Sequence, residues 1–185
     1  MRIKFSMPWP EIVVTVVILL MDQLSKHWVK VTLPLYQPMP FIPGVLGLCY
    51  VRNSGVAFGF LSGYPWLMAI LSIVGMIGLV IMYIMLFIVR NVATLPSDEE
   101  EFNGTLPQIN AACRLAWTLT FGGAVGNVID RVRYGSVVDF LYFPFVDFAI
   151  FNIADIAITC GGILMVAIYL YLEFGLKPTR NVSHE

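Results

Sequence analysis

Charge is scarce in this sequence. Only 12% of its 185 residues are Asp, Glu, Lys or Arg, and 11 basic against 12 acidic residues leave a formal net charge of −1. Nothing here supplies the basic surface that a nucleic-acid backbone attracts, so no nucleic-acid partner is expected. Histidine occurs at His27 and His184 alone. The three cysteines, Cys49, Cys113 and Cys160, form no CxxC. So few ligands at such spacing do not make a zinc site, and no metal or cofactor is expected. The cysteines read as small packing residues. A soluble core is excluded as well. Hydrophobic residues make up 58% of the chain, the mean hydropathy is +0.81, and the apolar runs are long enough to cross a bilayer.

What is present is a multi-span membrane pattern in a single domain, residues 1–185. Arg2 and Lys4 precede an apolar run from Ile12 to Met21. No small-x-small cleavage site follows, and Asp22, Gln23 and Lys26 continue the segment, so a retained first span is expected over about 12–31. Asp22 and Lys26 stand four apart on one helical face, in the better order for an ion pair. From the residues alone they are either a helix-end pair reaching for the interface or support for a site. Pro34, Pro38, Pro40, Pro43 and Gly44 then forbid a long helix. The β-prone runs Val45–Val51 and Val56–Leu61 predict a small sheet at the membrane surface, with Asn53 and Gly55 in a turn between them.

A second span is expected over about 66–89, with no ionisable group inside it. Asn91 to Asn110, with its Asp98-Glu99-Glu100-Glu101 run, reads as a solvated loop. A third span, about 113–131, is rich in small residues. Gly122 and Gly126 have the four-residue spacing that lets helices approach closely. Asn127, Asp130 and Arg131 can share one face, with Asp130 and Arg131 most simply a local helix-end pair. Arg133 to Asp147 reads as a short surface or re-entrant connection. The fourth span is expected over about 148–172, with Asn152 and Asp155 facing one neighbour. Four spans put both termini on one side. Basic residues favour that side by six to five, which makes it the cytoplasmic one.

The polar residues concentrate between Gly122 and Asp155. Ionisable groups at bilayer depth are costly and usually functional. Asp155 interrupts an apolar run, and Asp139 lies just ahead of it in Val-Val-Asp-Phe. Two such carboxyls brought together would share one proton and titrate as a unit. One would then deprotonate a water while the other polarises a scissile carbonyl. Intramembrane acids also serve as proton relays, ion sites and salt bridges, so the residues alone leave a protease, a proton-coupled transporter and a structural scaffold open. Asn127 and Asn152 would orient the carboxylates or simply link helices.

Five motifs, in order, narrow the choice. They are Asp22-Gln23-x-x-Lys26, Asn53-x-Gly55-x-Ala57-Phe58, Gly122-Gly123-Ala124-x-Gly126-Asn127-x-x-Asp130-Arg131, Val138-Asp139-Phe140 and Phe151-Asn152-x-Ala154-Asp155. Together they resemble bacterial lipoprotein signal peptidase, the signal peptidase II family, across nearly the whole chain. The resemblance implies an all-α membrane fold of four transmembrane helices with an extracytoplasmic β-cradle at about 43–62. It implies a multi-pass aspartic endopeptidase of the bacterial inner membrane. Such an enzyme cuts the signal peptide of a prolipoprotein just before a diacylglyceryl-modified cysteine. Its partners are the lipid-modified substrate, membrane lipids and the inhibitor globomycin. By motif position Asp139 and Asp155 are the catalytic pair. Asp22, Lys26, Asn53, Gly55, Gly123, Asn127, Arg131 and Asn152 fall on supporting or substrate-binding positions. The Asn91–Asn110 loop is longer and more acidic than the family's usual connection.

Overall fold

The computed structural model describes residues 9–55, 63–93 and 106–175. The first helix, α1 (Trp9–Thr32), ends two residues before Pro34, which cannot donate to the helical ladder. Strands β1 (Met39–Ile42) and β2 (Leu46–Asn53) follow as an antiparallel hairpin. Its turn is Ile42-Pro43-Gly44-Val45, closed by the Val45 N–H donating to the Ile42 carbonyl at 3.0 Å. Gly44 has φ +72°. Proline at the second turn position and glycine at a positive-φ third position are the type II pattern.

Helices α2 (Pro65–Ala93) and α3 (Leu106–Tyr134) come next. Then β3 (Val137–Tyr142) pairs antiparallel with β2 to give the sheet order β1-β2-β3. The segment expected as a surface or re-entrant connection, Arg133–Asp147, thus contains the third strand. The β-branched pair Val137-Val138 suits a strand, and Gly135, at φ +67°, makes the turn out of α3. Helix α4 (Ile153–Leu170) ends in a π-helical turn, Tyr171–Gly175. The expected fourth span opened at Phe148, but residues 148–152 lie ahead of the helix. Phe151 bridges to Leu141 on β3 instead.

Among the described residues, three helices are long and apolar enough to cross a membrane: Trp9–Thr32, Pro65–Met85 and Ile153–Phe174. Helix α3 is as long as α2, 29 residues each, but carries Arg114, Asp130, Arg131 and Arg133. It packs against all three other helices. Glycines permit this. Gly122 meets Ile18 of α1, Gly126 meets the Asp22 carboxylate, and a Cβ on Gly123 would run into the Ala154 carbonyl of α4. The sheet sits over the end of α1, where Val29 and Leu33 form a core with Leu48, Val138, Phe140 and Leu141. The polar connection expected at Asn91–Asn110 begins and ends inside α2 and α3. Residues 94–105 of it, the Val56–Leu61 run, and the charged residues Arg2, Lys4, Lys177 and Arg180 lie outside the described residues.

Candidate active site

Asp139 and Asp155 come from different kinds of element. Asp139 is on β3, directly opposite Val51 of β2. Opposite residues in an antiparallel pair project to the same face, and so do residues two apart on a strand. Asn53 therefore shares a face with Asp139, and its Nδ2 donates to Asp139 Oδ2 at 2.9 Å. The Asn53 Oδ1 accepts from the Gly55 N–H at 3.0 Å, which fixes which end of the Asn53 amide faces the carboxylate.

Asp155 is in the first turn of α4. Asn152 caps this helix: its Oδ1 accepts from the Asp155 N–H at 2.9 Å, and Asp155 Oδ2 accepts from the Asn152 N–H at 3.0 Å. This reciprocal pair is a capping box. The helix N-terminus favours an anion at this position.

Two asparagines join the carboxylates. Asn152 Nδ2 donates to Asp139 Oδ1 at 2.7 Å and to Asn127 Oδ1 at 3.1 Å. Asn127 Nδ2 donates to Asp155 Oδ1 at 2.8 Å. Each of the four carboxylate oxygens thus accepts one hydrogen bond from a backbone or asparagine N–H. Burial pushes the Asp139 carboxyl up to about 6, and the neighbouring Asp155 charge adds to this; the hydrogen bonds from Asn53 and Asn152 and the Lys26 charge oppose it.

Both aspartates line one cavity of about 510 Å³. Asn53, Gly55, Asn127 and Arg131 line it too, and Phe143, Phe148 and Phe151 give it an aromatic wall. Arg131 Nη2 reaches the Gly55 carbonyl at 3.5 Å. Among the described residues its buried Nε has no hydrogen-bond partner.

Asp22 and Lys26 do not reach the protein surface. They are 0% and 1% exposed and form an ion pair at 2.8 Å deep in the helix contact. Asp130 joins them, 3.2 Å from the Lys26 ammonium, rather than pairing locally with Arg131. Asp22 Oδ1 also accepts from the Ala154 N–H at 3.1 Å, and Asp130 Oδ2 accepts from the Val138 N–H at 3.1 Å. One cluster thereby ties α1 and α3 to the starts of α4 and β3. Gly123 lies away from the cavity, in the α3–α4 contact. Sequence reasoning placed Gln23 in a motif but gave it no role; it donates to Asp22 at 3.0 Å and reaches Asp130 at 3.5 Å. Sequence reasoning also passed over Phe143 and Phe148 as cavity residues, and gave Phe151 no role beyond its place in a motif.

A family profile described as signal peptidase (SPase) II matches residues 14–171. The chain belongs to the signal peptidase II family. It is accordingly an aspartic peptidase, a hydrolase of peptide bonds. Among relatives of this family, proteins named lipoprotein signal peptidase from Streptococcus pyogenes serotype M5 (strain Manfredo) and serotype M18 (strain MGAS8232) are each 36% identical. Each match spans 151 residues, 82% of this chain and 86% of the relative. Two solved structures, each titled a bacterial membrane enzyme determined by the in meso method, are similar in fold. One, at 2.3 Å resolution, has a TM-score of 0.74 and 30% identity, covering 96% of this chain and 98% of its own. The other, at 1.9 Å, has a TM-score of 0.70 and 31% identity, covering 92% and 98%.

Proposed function

We propose that this protein is an intramembrane endopeptidase that removes signal peptides from diacylglyceryl-modified prolipoproteins, with Asp139 and Asp155 as a catalytic dyad. The substrate class follows from membership of the signal peptidase II family and from the names of its relatives. The observation that carries the dyad is the shared cavity, in which two carboxylates from β3 and α4 are linked through Asn127 and Asn152.

The chemistry starts with one proton held between the two carboxyls. The ionised carboxylate takes a proton from water as the water oxygen bonds to the scissile carbonyl carbon. The protonated carboxyl gives its proton to the carbonyl oxygen. The resulting diol collapses: one of its hydroxyls returns a proton to the dyad as the C–N bond breaks, and the leaving nitrogen takes a proton from the dyad. One proton remains shared, ready for the next turnover. Arg131, which lines the cavity, brings guanidinium donors for a substrate carbonyl, and the phenylalanine wall accommodates apolar side chains or lipid.

In this reading α3 is a fourth span alongside the three apolar helices. The chain lies in the bacterial inner membrane with cytoplasmic termini. The sheet and both aspartates are then near the outer face, where water is available. Membrane lipids hold the substrate's acyl chains beside the spans, and globomycin competes for the cavity.

The test is cleavage of a lipidated precursor by the purified full-length protein, with wild type, Asp139→Asn and Asp155→Asn, each with and without a chelator. Cleavage by wild type that chelator leaves unchanged, and that either substitution abolishes, supports the dyad. Undiminished cleavage by either variant overturns it.

A further inference from the structure

Asn127 holds Asp155, but what holds Asn127 lies behind the cavity wall. An ammonium has three N–H donors, and Lys26 uses all three. They reach Asp22 Oδ2 at 2.8 Å, Asn127 Oδ1 at 3.0 Å and Asp130 Oδ2 at 3.2 Å. Lys26 itself does not line the cavity. The Asn127 oxygen thus faces two donors, Lys26 and Asn152, and only its NH2 can turn toward Asp155. A flipped amide would set N–H groups against an ammonium. The two aspartates that hold Lys26 also accept backbone N–H groups near the starts of the segments carrying the dyad, at Ala154 and Val138.

We propose that Lys26 is a positioning residue: anchored by Asp22 and Asp130, it locks the Asn127 amide and through it aims the Asp155 carboxylate toward Asp139. This rests on the dyad reading above and adds an agent that never touches substrate.

The charges around the dyad give the inference a signature. Asp22 and Lys26 face it from α1, Asp130 and Arg131 from α3, Asp139 from β3 and Asp155 from α4; β2 contributes only the neutral Asn53. Lys26→Met deletes a positive charge that favours ionised Asp139. Asp130→Asn deletes a negative charge yet keeps an oxygen for Lys26 and Val138. The two substitutions therefore displace the pH profile in opposite directions, which damage to the fold would not do.

The experiment measures kcat and KM against pH for lipidated-precursor cleavage, with melting temperature in parallel. The variants are Lys26→Met, Asp130→Asn, Asn127→Ala and the Lys26→Met/Asn127→Ala double. Lys26→Met is expected to lower kcat roughly 30-fold or more with KM within about threefold. It should shift the profile up by about one pH unit, and Asp130→Asn should shift it down. The double variant should be no more than about twofold slower than Asn127→Ala alone, because both changes cut the same linkage. Multiplying effects, or an unmoved profile with a lower melting temperature, overturn the inference. If Lys26→Met does not accumulate in membranes, Asp130→Asn, which loosens the Lys26 anchor, decides it: a lower kcat at its own pH optimum with KM within about threefold supports the inference, and an unchanged kcat there overturns it. Wild type that fails to cleave sinks the dyad reading itself. Cleaving wild type, inactive Asp139→Asn and an unshifted Lys26→Met sink the positioning role alone.

Discussion

Asn152 and Asp155 each accept the other's backbone N–H, at 2.9 and 3.0 Å, so the residue that starts α4 also fixes one of the two carboxylates. The same Asn152 side chain donates to Asp139 at 2.7 Å. Helix capping and the joining of the two carboxylates are therefore one set of bonds. Asn152→Ala should cost about 1 kcal/mol for the lost cap and about 1–3 kcal/mol more for buried groups left without partners. Asn152→Ser, which can still cap, should recover the first part of that stability in thermal unfolding but not the cleavage rate.

Asp139→Asn should separate activity from stability. Buried Asp139 has a folded-state value near 6 against an ordinary 3.8. A raised carboxyl contributes stability that is fully present below its unfolded value and is lost as pH rises through its folded value. Above about pH 6 the ionised group is a burden on the fold. The asparagine cannot ionise, though it gives up one accepted hydrogen bond. The variant should thus be inactive yet more stable at pH 7.5, by on the order of 1–3 kcal/mol. That gain should vanish below about pH 4. Unfolding at the two pH values checks the sign.

The pH dependence of cleavage follows from the same coupling. Burial and the Asp155 charge hold Asp139 up at about 6, so Asp139 loses its proton near there in the free protein. The alkaline limb of kcat/KM should fall near pH 6. The limb in kcat should lie higher, because a bound peptide excludes water from Asp139 and disfavours its ionisation further. Matching limbs in both parameters would show that substrate does not cover the carboxylates.

Gly123→Ala should be disruptive despite the small change. The new Cβ would strike the Ala154 carbonyl, which belongs to backbone and cannot swing aside. Helices α3 and α4 must separate, at a cost of roughly 1–3 kcal/mol. The separation also stretches the Asn127–Asp155 hydrogen bond, so activity should fall together with melting temperature. Gly78→Ala on α2, where nothing lies within 4 Å, is the control and should change neither.

Much of this site was legible in the chain because membrane segments leave polar residues few other reasons to exist. Asp139, Asp155, Asn127 and Asn152 stood out against apolar neighbours, and the structure brings all four to one place. The β3 strand was not legible. It is six residues long, and its partner, β2, lies two helices upstream. The start of α4 was misread because Phe148 to Phe151 are apolar and carry no period of their own. The Asn152-x-x-Asp155 spacing was the capping signal that would have corrected it. Asp130 was assigned to adjacent Arg131, since sequence shows neighbours along the chain and not Lys26 across the helix contact.

Asp139 rides on a strand and Asp155 on a helix, and that division has a consequence for the life of the molecule. On the proposed dyad, a chain whose helices have packed but whose strands have not yet paired holds only one of its two carboxyls in place, and it should not hydrolyse peptide bonds until the sheet closes.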